Sequence, residues 1–311
     1  MTDRTVHVLL GGAVLLLAGM PFMPQWLMFL VTLALAKGLV VLGLVLLMRT
    51  GLVSFGQGLY YCLGAYSAAL LDHAGGIHDA ALMLLAALLV PVVVAAVLGL
   101  LLASYRGIFF AMLSLAFSMI VFGLLIKTSA LGSSDGFNVA TRSIFGVAIA
   151  GGYNGHVFLA ATVVLSAIAV AALHRYLNSH RGRLAAAIRD NELRVEYLGA
   201  SVRNVVHLNY VIAAALGGAG GGLTALAVGH IDPDMAYWTT SGEFVFVAVL
   251  SGTGNVLAPF FGSVMFEAIR TLANQYAPNV WQMTLGFAML AIIMFLPAGL
   301  WSLFRRKARA S

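Results

Sequence analysis

Residues 181–203 read RGRLAAAIRDNELRVEYLGASVR, a polar stretch in a chain that is otherwise nearly all hydrocarbon. Of 17 basic and 11 acidic side chains, eight lie here: Arg181, Arg183, Arg189, Asp190, Glu192, Arg194, Glu196 and Arg203. That density of charge cannot sit in lipid, so the segment must leave the membrane. Leu184, Ile188 and, less regularly, Val195 and Leu198 fall at helical offsets among the charges, and Gly199 stands where a helix C-cap belongs. The pattern predicts one short amphipathic helix, over about 183–198, on the membrane surface. Its apolar face would rest on the bilayer or bundle and its charged face would meet a soluble partner. A solvated loop obeying the positive-inside bias accounts for the same composition.

Outward from this stretch the chain is hydrophobic: 61% of its 311 residues are apolar, 9% are charged, and the mean hydropathy is +0.98. A soluble domain carries about 25% charged residues. The fold class is therefore an all-α integral membrane protein, a polytopic helix bundle. The one cysteine, Cys62, excludes an internal disulfide and a thiolate metal site, and reads as a small packing residue. The net charge of +6 would suggest nucleic acid in a soluble protein, but here its distribution matters more.

Thirteen of the 17 basic residues are Arg4, Arg49, Arg106, Arg175, the five arginines of 181–203, and Arg305, Arg306, Lys307 and Arg309. Placing all of them in the cytoplasm sets the topology. Apolar runs at about 6–20, 27–48, 51–71, 80–103, 107–127, 156–173, 205–229, 237–253, 256–273 and 281–303 predict about ten transmembrane helices with both termini cytoplasmic. The whole of 1–311 is expected to form a single transmembrane domain with 181–203 as a loop within it. The first run lacks a small-residue cleavage site and reads as a retained helix.

Glycine marks two places in this bundle. Gly51, Gly56, Gly58 and Gly64, with Ser54 and Gln57 among them, predict a helix that is broken or closely packed in its first half. GGAGGG at 217–222 imitates a dinucleotide fingerprint, but it lies within an apolar helix with no preceding strand, so it predicts close crossings through Gly217/Gly221 and Gly218/Gly222. Lys37, inside an apolar run, should face the bundle interior, a partner or water. Glu243, Glu267 and Arg270 are expected to form buried pairs, with Glu267 and Arg270 three residues apart on one helical face. DHAGGIHD at 72–79 has two His and two Asp, but its two glycines argue against a preformed metal site and its lack of basic residues fits an exterior turn.

Several of these stretches resemble the LivM-like permease family of branched-chain amino acid ABC importers. In AAAIRDNELRVEYLGASV the family's Ala-Ile-Arg, Asn-Glu and Leu-Gly recur, while Arg194 and Val195 replace the usual small residues. From Gly51 the chain follows Gly-x-x-Ser-x-Gly-x-Gly, then Tyr60-Tyr61 and Gly64-Ala65-Tyr66. RGIFFAMLSLAFSMI at 106–120, Gly-Ser-Ser-Asp-Gly at 132–136 and Ser251-Gly252-Thr253-Gly254 stand where the family has closely similar motifs. The resemblance runs from about 30 to 300 and implies the architecture of type II-like ABC importer permeases.

It also implies roles. Arg183, Arg189, Asp190, Asn191, Glu192 and Gly199 would belong to a coupling helix that docks on an ATPase. Gly56, Gln57, Gly58, Tyr61, Ser114, Phe117 and Glu243 become candidates for the translocation path, and Asp135 and Gly136 for docking of a periplasmic binding protein. The implied partners are a LivH-like second permease subunit, two LivG/LivF-like ATPase subunits, the binding protein and membrane lipid, with no nucleic acid. No Gly-x-x-x-x-Gly-Lys-Ser/Thr loop occurs, so no cofactor is expected on this chain and ATP with Mg would bind the ATPase partners. Family cargo is a branched-chain or other hydrophobic amino acid, with urea, amides or small carboxylates as alternatives.

Rival functions differ in what they need. An ion-coupled secondary transporter would work without an ATPase, using Lys37, Glu243 or Glu267 as carriers. A membrane enzyme would need paired catalytic or metal-ligand spacing such as His-Glu-x-x-His, which the eight histidines do not supply.

Overall fold

The computed structural model describes residues 4–73, 75–76, 78–139, 143–144, 147–148, 155–276, 278, 280–295 and 299. Its helices are α1 (Arg4–Gly19), α2 (Gln25–Arg49), α3 (Gln57–His73), α4 (Ala80–Leu102), α5 (Gly107–Lys127), α6 (Gly155–Asn178), α7 (His180–Asp190), α8 (Glu192–Tyr197), α9 (Val202–Val228), α10 (Trp238–Ser251), α11 (Ala258–Tyr276) and α12 (Trp281–Phe295). The basic tail at 305–309, Arg142 and the end of the predicted 281–303 span lie outside the described residues. Of these helices, α2, α4, α5, α6 and α9 are long and apolar enough to cross a membrane; the others are shorter or more polar.

The central pair is α2 and α9, buried along most of their length. GGAGGG explains why α9 can occupy that place. A Cβ on Gly221 would lie 1.9 Å from the Tyr61 carbonyl oxygen on α3, one on Gly218 2.2 Å from Ala87 O on α4, and one on Gly220 2.5 Å from Ala36 O on α2. Three neighbouring backbones therefore close onto one helix, a packing that only small residues allow. The predicted crossings through Gly217/Gly221 and Gly218/Gly222 are present, on α3 and α4 respectively, and Gly220 adds α2. By contrast α4 and α5 turn Val93, Val97, Ile108, Phe109, Met112 and Leu124 outward, as lipid-facing helices must.

The arginine-bearing turns gather at one end of this bundle. Arg49 Nε donates to Thr253 O at 3.2 Å, Arg203 Nη2 to Leu100 O at 2.8 Å, and Arg106 Nε to Glu192 Oε1 at 2.6 Å. Leu9 of α1 packs there with Leu173, Tyr176 and Leu257, and Gly299 lies against Gly252. At the other end His73 and Tyr66 of α3 stack against Phe137, and Phe137–Asn138 pairs antiparallel with His230–Ile231. Asp72 Oδ1 and His78 Nδ1 are hydrogen-bonded in the turn between α3 and α4, and among the described residues no group of three or more potential metal ligands exists.

One expectation is corrected and one is made specific. The loop 181–203 forms two helices, α7 and α8, because Asn191 takes an extended backbone (φ −164°) and its Oδ1 accepts from Arg194 N at 2.9 Å as an N-cap. The pairs expected among the membrane charges form between helices: Lys37 pairs with Glu267 at 2.5 Å and Arg270 with Glu243 at 3.4 Å, with Glu267 and Arg270 one turn apart on α11.

Candidate functional site

Two regions carry the candidate residues. The first is the break before α3. α2 ends in a Schellman turn in which Gly51, at φ +80°, donates to Met48 O and Leu52 to Leu47 O. From there the chain runs without helix to Gly56 and starts α3 inside the bundle, as the glycines predicted. Starting a helix in the interior strands backbone amides, and three serines take them up. Phe55 N donates to Ser114 Oγ at 3.1 Å, Gly56 N to Ser54 Oγ at 3.2 Å, and Gly58 N to Ser241 Oγ at 3.0 Å. Ser114 lies about two turns into α5, so the start of α3 is well below the surface of the bundle.

Gly56 and Gly58 are required by these approaches, since a Cβ would come within 2.9 Å of Ser114 O and 2.6 Å of Ser241 Oγ. Gln57 is fully buried, and neither its amide oxygen nor its amide nitrogen has a hydrogen-bond partner. A buried unpaired amide is costly, which marks this position among the path candidates. Tyr61 lies one turn on, its ring edge-on to Phe244 with centroids 5.2 Å apart. Phe117 is half-buried on α5 and packs on the cluster that holds Tyr60, Phe110 and Tyr210. Glu243 is half-buried with Arg270. The structure thus joins Gly56, Gln57, Gly58, Tyr61, Ser114 and, through Phe244, Glu243, while Phe117 sits to one side.

The second region is the surface of α7 and α8. Ile188 and Val195 are buried against the bundle with Leu47 and Leu102, and Ala185 on the same face is buried too. Arg183, Arg189, Asp190 and Asn191 are exposed, with Arg189 lying over Gly51. Glu192 is turned back onto Arg106 and fixes α8 to the α4–α5 turn. Gly199 takes the left-handed φ of +83° expected of a C-cap. The sequence reading missed the exposed apolar side chains: Leu193, Tyr197 and Leu198 are 65, 90 and 79% exposed. Leu198 was expected on the inner stripe, but the break at Asn191 rotates α8 relative to α7 and turns it outward. The second break in the pattern, Asn191 followed by Glu192, was the available signal.

At the opposite end, Asp135 is exposed and Gly136, at φ +66°, is pressed against the Ile231 carbonyl where no side chain fits.

The family described as branched-chain amino acid transport system / permease component matches residues 8–294. The chain belongs to that family. It is 27% identical over 274 residues to the high-affinity branched-chain amino acid transport system permease protein LivM of Escherichia coli K12, and 28% identical to the protein of the same name from Salmonella typhimurium. Each match takes in 81% of this chain and 64% of the relative, so the chain spans about two thirds of the length of these curated relatives. A probable branched-chain amino acid transport permease protein LivM of Methanocaldococcus jannaschii is 27% identical over 57% of this chain and 55% of its own. No solved structure matches the chain. Family membership and the long apolar helices make it a multi-pass inner-membrane protein.

Proposed function

We propose that this chain is the membrane permease subunit of an ATP-driven importer and forms part of the path for a branched-chain or other hydrophobic amino acid. In this reading residues 1–311 act as one permease domain of ten membrane-crossing helices with both termini cytoplasmic, and the arginine-rich end faces the cytoplasm. ATP and Mg bind partner ATPases, a second permease subunit completes the path, and a periplasmic protein delivers cargo near Asp135 and Gly136.

The observation that carries the reading is the outer face of α8. Leu193, Tyr197 and Leu198 stand exposed beside Arg189, Asp190, Arg194 and Glu196, while the inner face of the same segment is anchored by Val195 and by the Glu192–Arg106 pair. An aromatic anchor ringed by charge, rigidly joined to a bundle, suits a groove on a soluble partner. In a chain without its own phosphate loop, that partner supplies the energy. Motion of the ATPase would be passed through α8 to the α4–α5 turn by the Arg106–Glu192 bond.

The test is purification of the native complex in mild detergent with Tyr197→Asp beside wild type. The expected result is loss of the co-purifying ATPase by tenfold or more with the chain still folded, as for a central aromatic anchor. Glu192→Arg should instead retain ATPase and uncouple it from uptake. A wild-type chain that purifies alone and transports in ATP-free liposomes on an ion gradient would replace this reading with the secondary transporter, whose carriers would be the Lys37, Glu243 and Glu267 charges. Uptake of urea or small carboxylates in preference to leucine would keep the importer and change its cargo.

A further inference from the structure

Four charged side chains meet deep in the bundle. Lys37 lies midway along α2 and Glu267 midway along α11, and their ion pair is nearly closed to the surroundings, at 15 and 7% side-chain exposure. One turn further along α11, Arg270 reaches Glu243 of α10 over a longer 3.4 Å, and these two are 31 and 28% exposed. An ion pair left partly open at this depth does not face bare hydrocarbon; it faces water, a neighbouring subunit or a polar group that passes. Glu243 also lines a cavity of about 10 Å³ with Lys37, Phe244, Phe266, Glu267 and Ser263, whose hydroxyl is buried without a partner. Phe244 touches Tyr61, which lies within electrostatic reach of Glu243, Glu267 and Arg270. The open pair is therefore continuous with the break before α3.

We propose that Glu243 and Arg270 bind the zwitterionic head of the transported amino acid, a step that rests on the amino-acid importer reading above. The pair opens around the substrate: the Arg270 guanidinium takes the carboxylate and the Glu243 carboxylate takes the ammonium, each a charge-assisted hydrogen bond. Phe244 and Tyr61 provide an apolar wall beside the head for a hydrophobic side chain. Lys37 and Glu267 stay paired and hold α2 against α11. The charges of the pair fit this cargo, because Arg270 and Glu243 offer one cation and one anion to a molecule with one of each. A carboxylate without an amine would leave Glu243 buried against it with no cation, and an amine alone would do the same to Arg270. The site would thus reject simple carboxylates and simple amines by construction.

The experiment is ATP-driven leucine uptake by the full complex, with its ATPases, second permease subunit and binding protein, in proteoliposomes, together with subunit recovery on purification. The key variant is Glu243→Gln combined with Arg270→Gln, which keeps hydrogen-bonding shape and removes both charges; a merely structural pair tolerates that exchange. The expected result is a complex recovered with all subunits and uptake lowered by about a hundredfold, the loss that accompanies removal of a desolvated charge partner. Uptake at the wild-type rate would overturn the proposal, as would loss of the second permease subunit, which would make the pair a subunit contact. Where the double variant does not accumulate, Arg270→Lys decides: the charge remains but the planar fork is lost, so the maximal rate of leucine uptake at saturating loaded binding protein should fall about tenfold, and an unchanged rate overturns the proposal. A wild-type complex that moves no amino acid defeats the importer reading and this one with it, whereas a wild type and double variant that move leucine equally defeat this one alone.

Discussion

The two glycine-rich stretches, 51–58 and 217–222, use the same residue for opposite ends. In the first, glycine ends one helix and delays the next, and the freed amides of Phe55, Gly56 and Gly58 are answered by Ser114, Ser54 and Ser241. In the second, the helix runs on unbroken and the missing side chains let α2, α3 and α4 come to within carbonyl contact of it. The neighbours decide which outcome follows. Ser54 and Gln57 give the first stretch polar atoms that compete with helix, while Ala219 and the flanking leucines give the second nothing else to bond. One stretch is a place where polar groups gather at depth; the other is a seam that holds the place rigid.

The largest expected effect breaks the seam. Gly221→Val puts a Cβ 1.9 Å from the Tyr61 carbonyl oxygen, a clash with backbone that no rotamer relieves. Overpacking ordinarily costs about 1–3 kcal/mol, and a clash with main chain on a central helix belongs above that range. The prediction is loss of folded protein, seen as an absent monodisperse peak in detergent chromatography. Normal yield would show that α9 and α3 are not closed in the native bundle. Next in size is Ser241→Ala, which leaves Gly58 N–H without its acceptor at the start of α3. That should cost about 1–3 kcal/mol, read as a lower thermal midpoint with the chain still folded.

How far the sequence reached follows the same division. Features carried by local pattern were legible: the helix positions, the break before α3, the faces of GGAGGG and the left-handed Gly199. Features that depend on which distant segments meet were not. Lys37 and Glu267 are 230 residues apart, and two of the three serines that satisfy the α3 start come from α5 and α10. Reading the apolar stripe as inward failed for Leu198, and the exposed Leu193 and Tyr197 beside it went unassigned, because periodicity assumes that every apolar face serves its own chain. Gln57 was singled out by resemblance, and only the packed structure exposes that its amide has no partner.

Gln57 supplies a sharper test of the first stretch. Gln57→Leu keeps the volume and removes an unpaired buried amide, so the closed structure should gain stability by about 1–3 kcal/mol. If the amide serves a passing substrate, uptake by the complex should fall while the thermal midpoint rises, an opposition that a packing residue would not produce. A rise in both, or a fall in both, would remove Gln57 from the path and leave the break as scaffolding.

The smallest expected effect is the control for the comparison as a whole. Gly123 is a glycine within α5, yet nothing lies within 4 Å of where its Cβ would be, and the helix around it faces outward. If the seam glycines are required because of what approaches them, and not because glycine itself suits these helices, Gly123→Ala must be harmless. It should leave stability within about 0.5 kcal/mol, or raise it slightly through the better helix propensity of alanine. Uptake and thermal midpoint measured beside Gly221→Val would separate the two explanations. A loss at Gly123 comparable to the loss at Gly221 would mean that α5 meets another chain closely at this point, and the outward face of α5 would then belong to an interface.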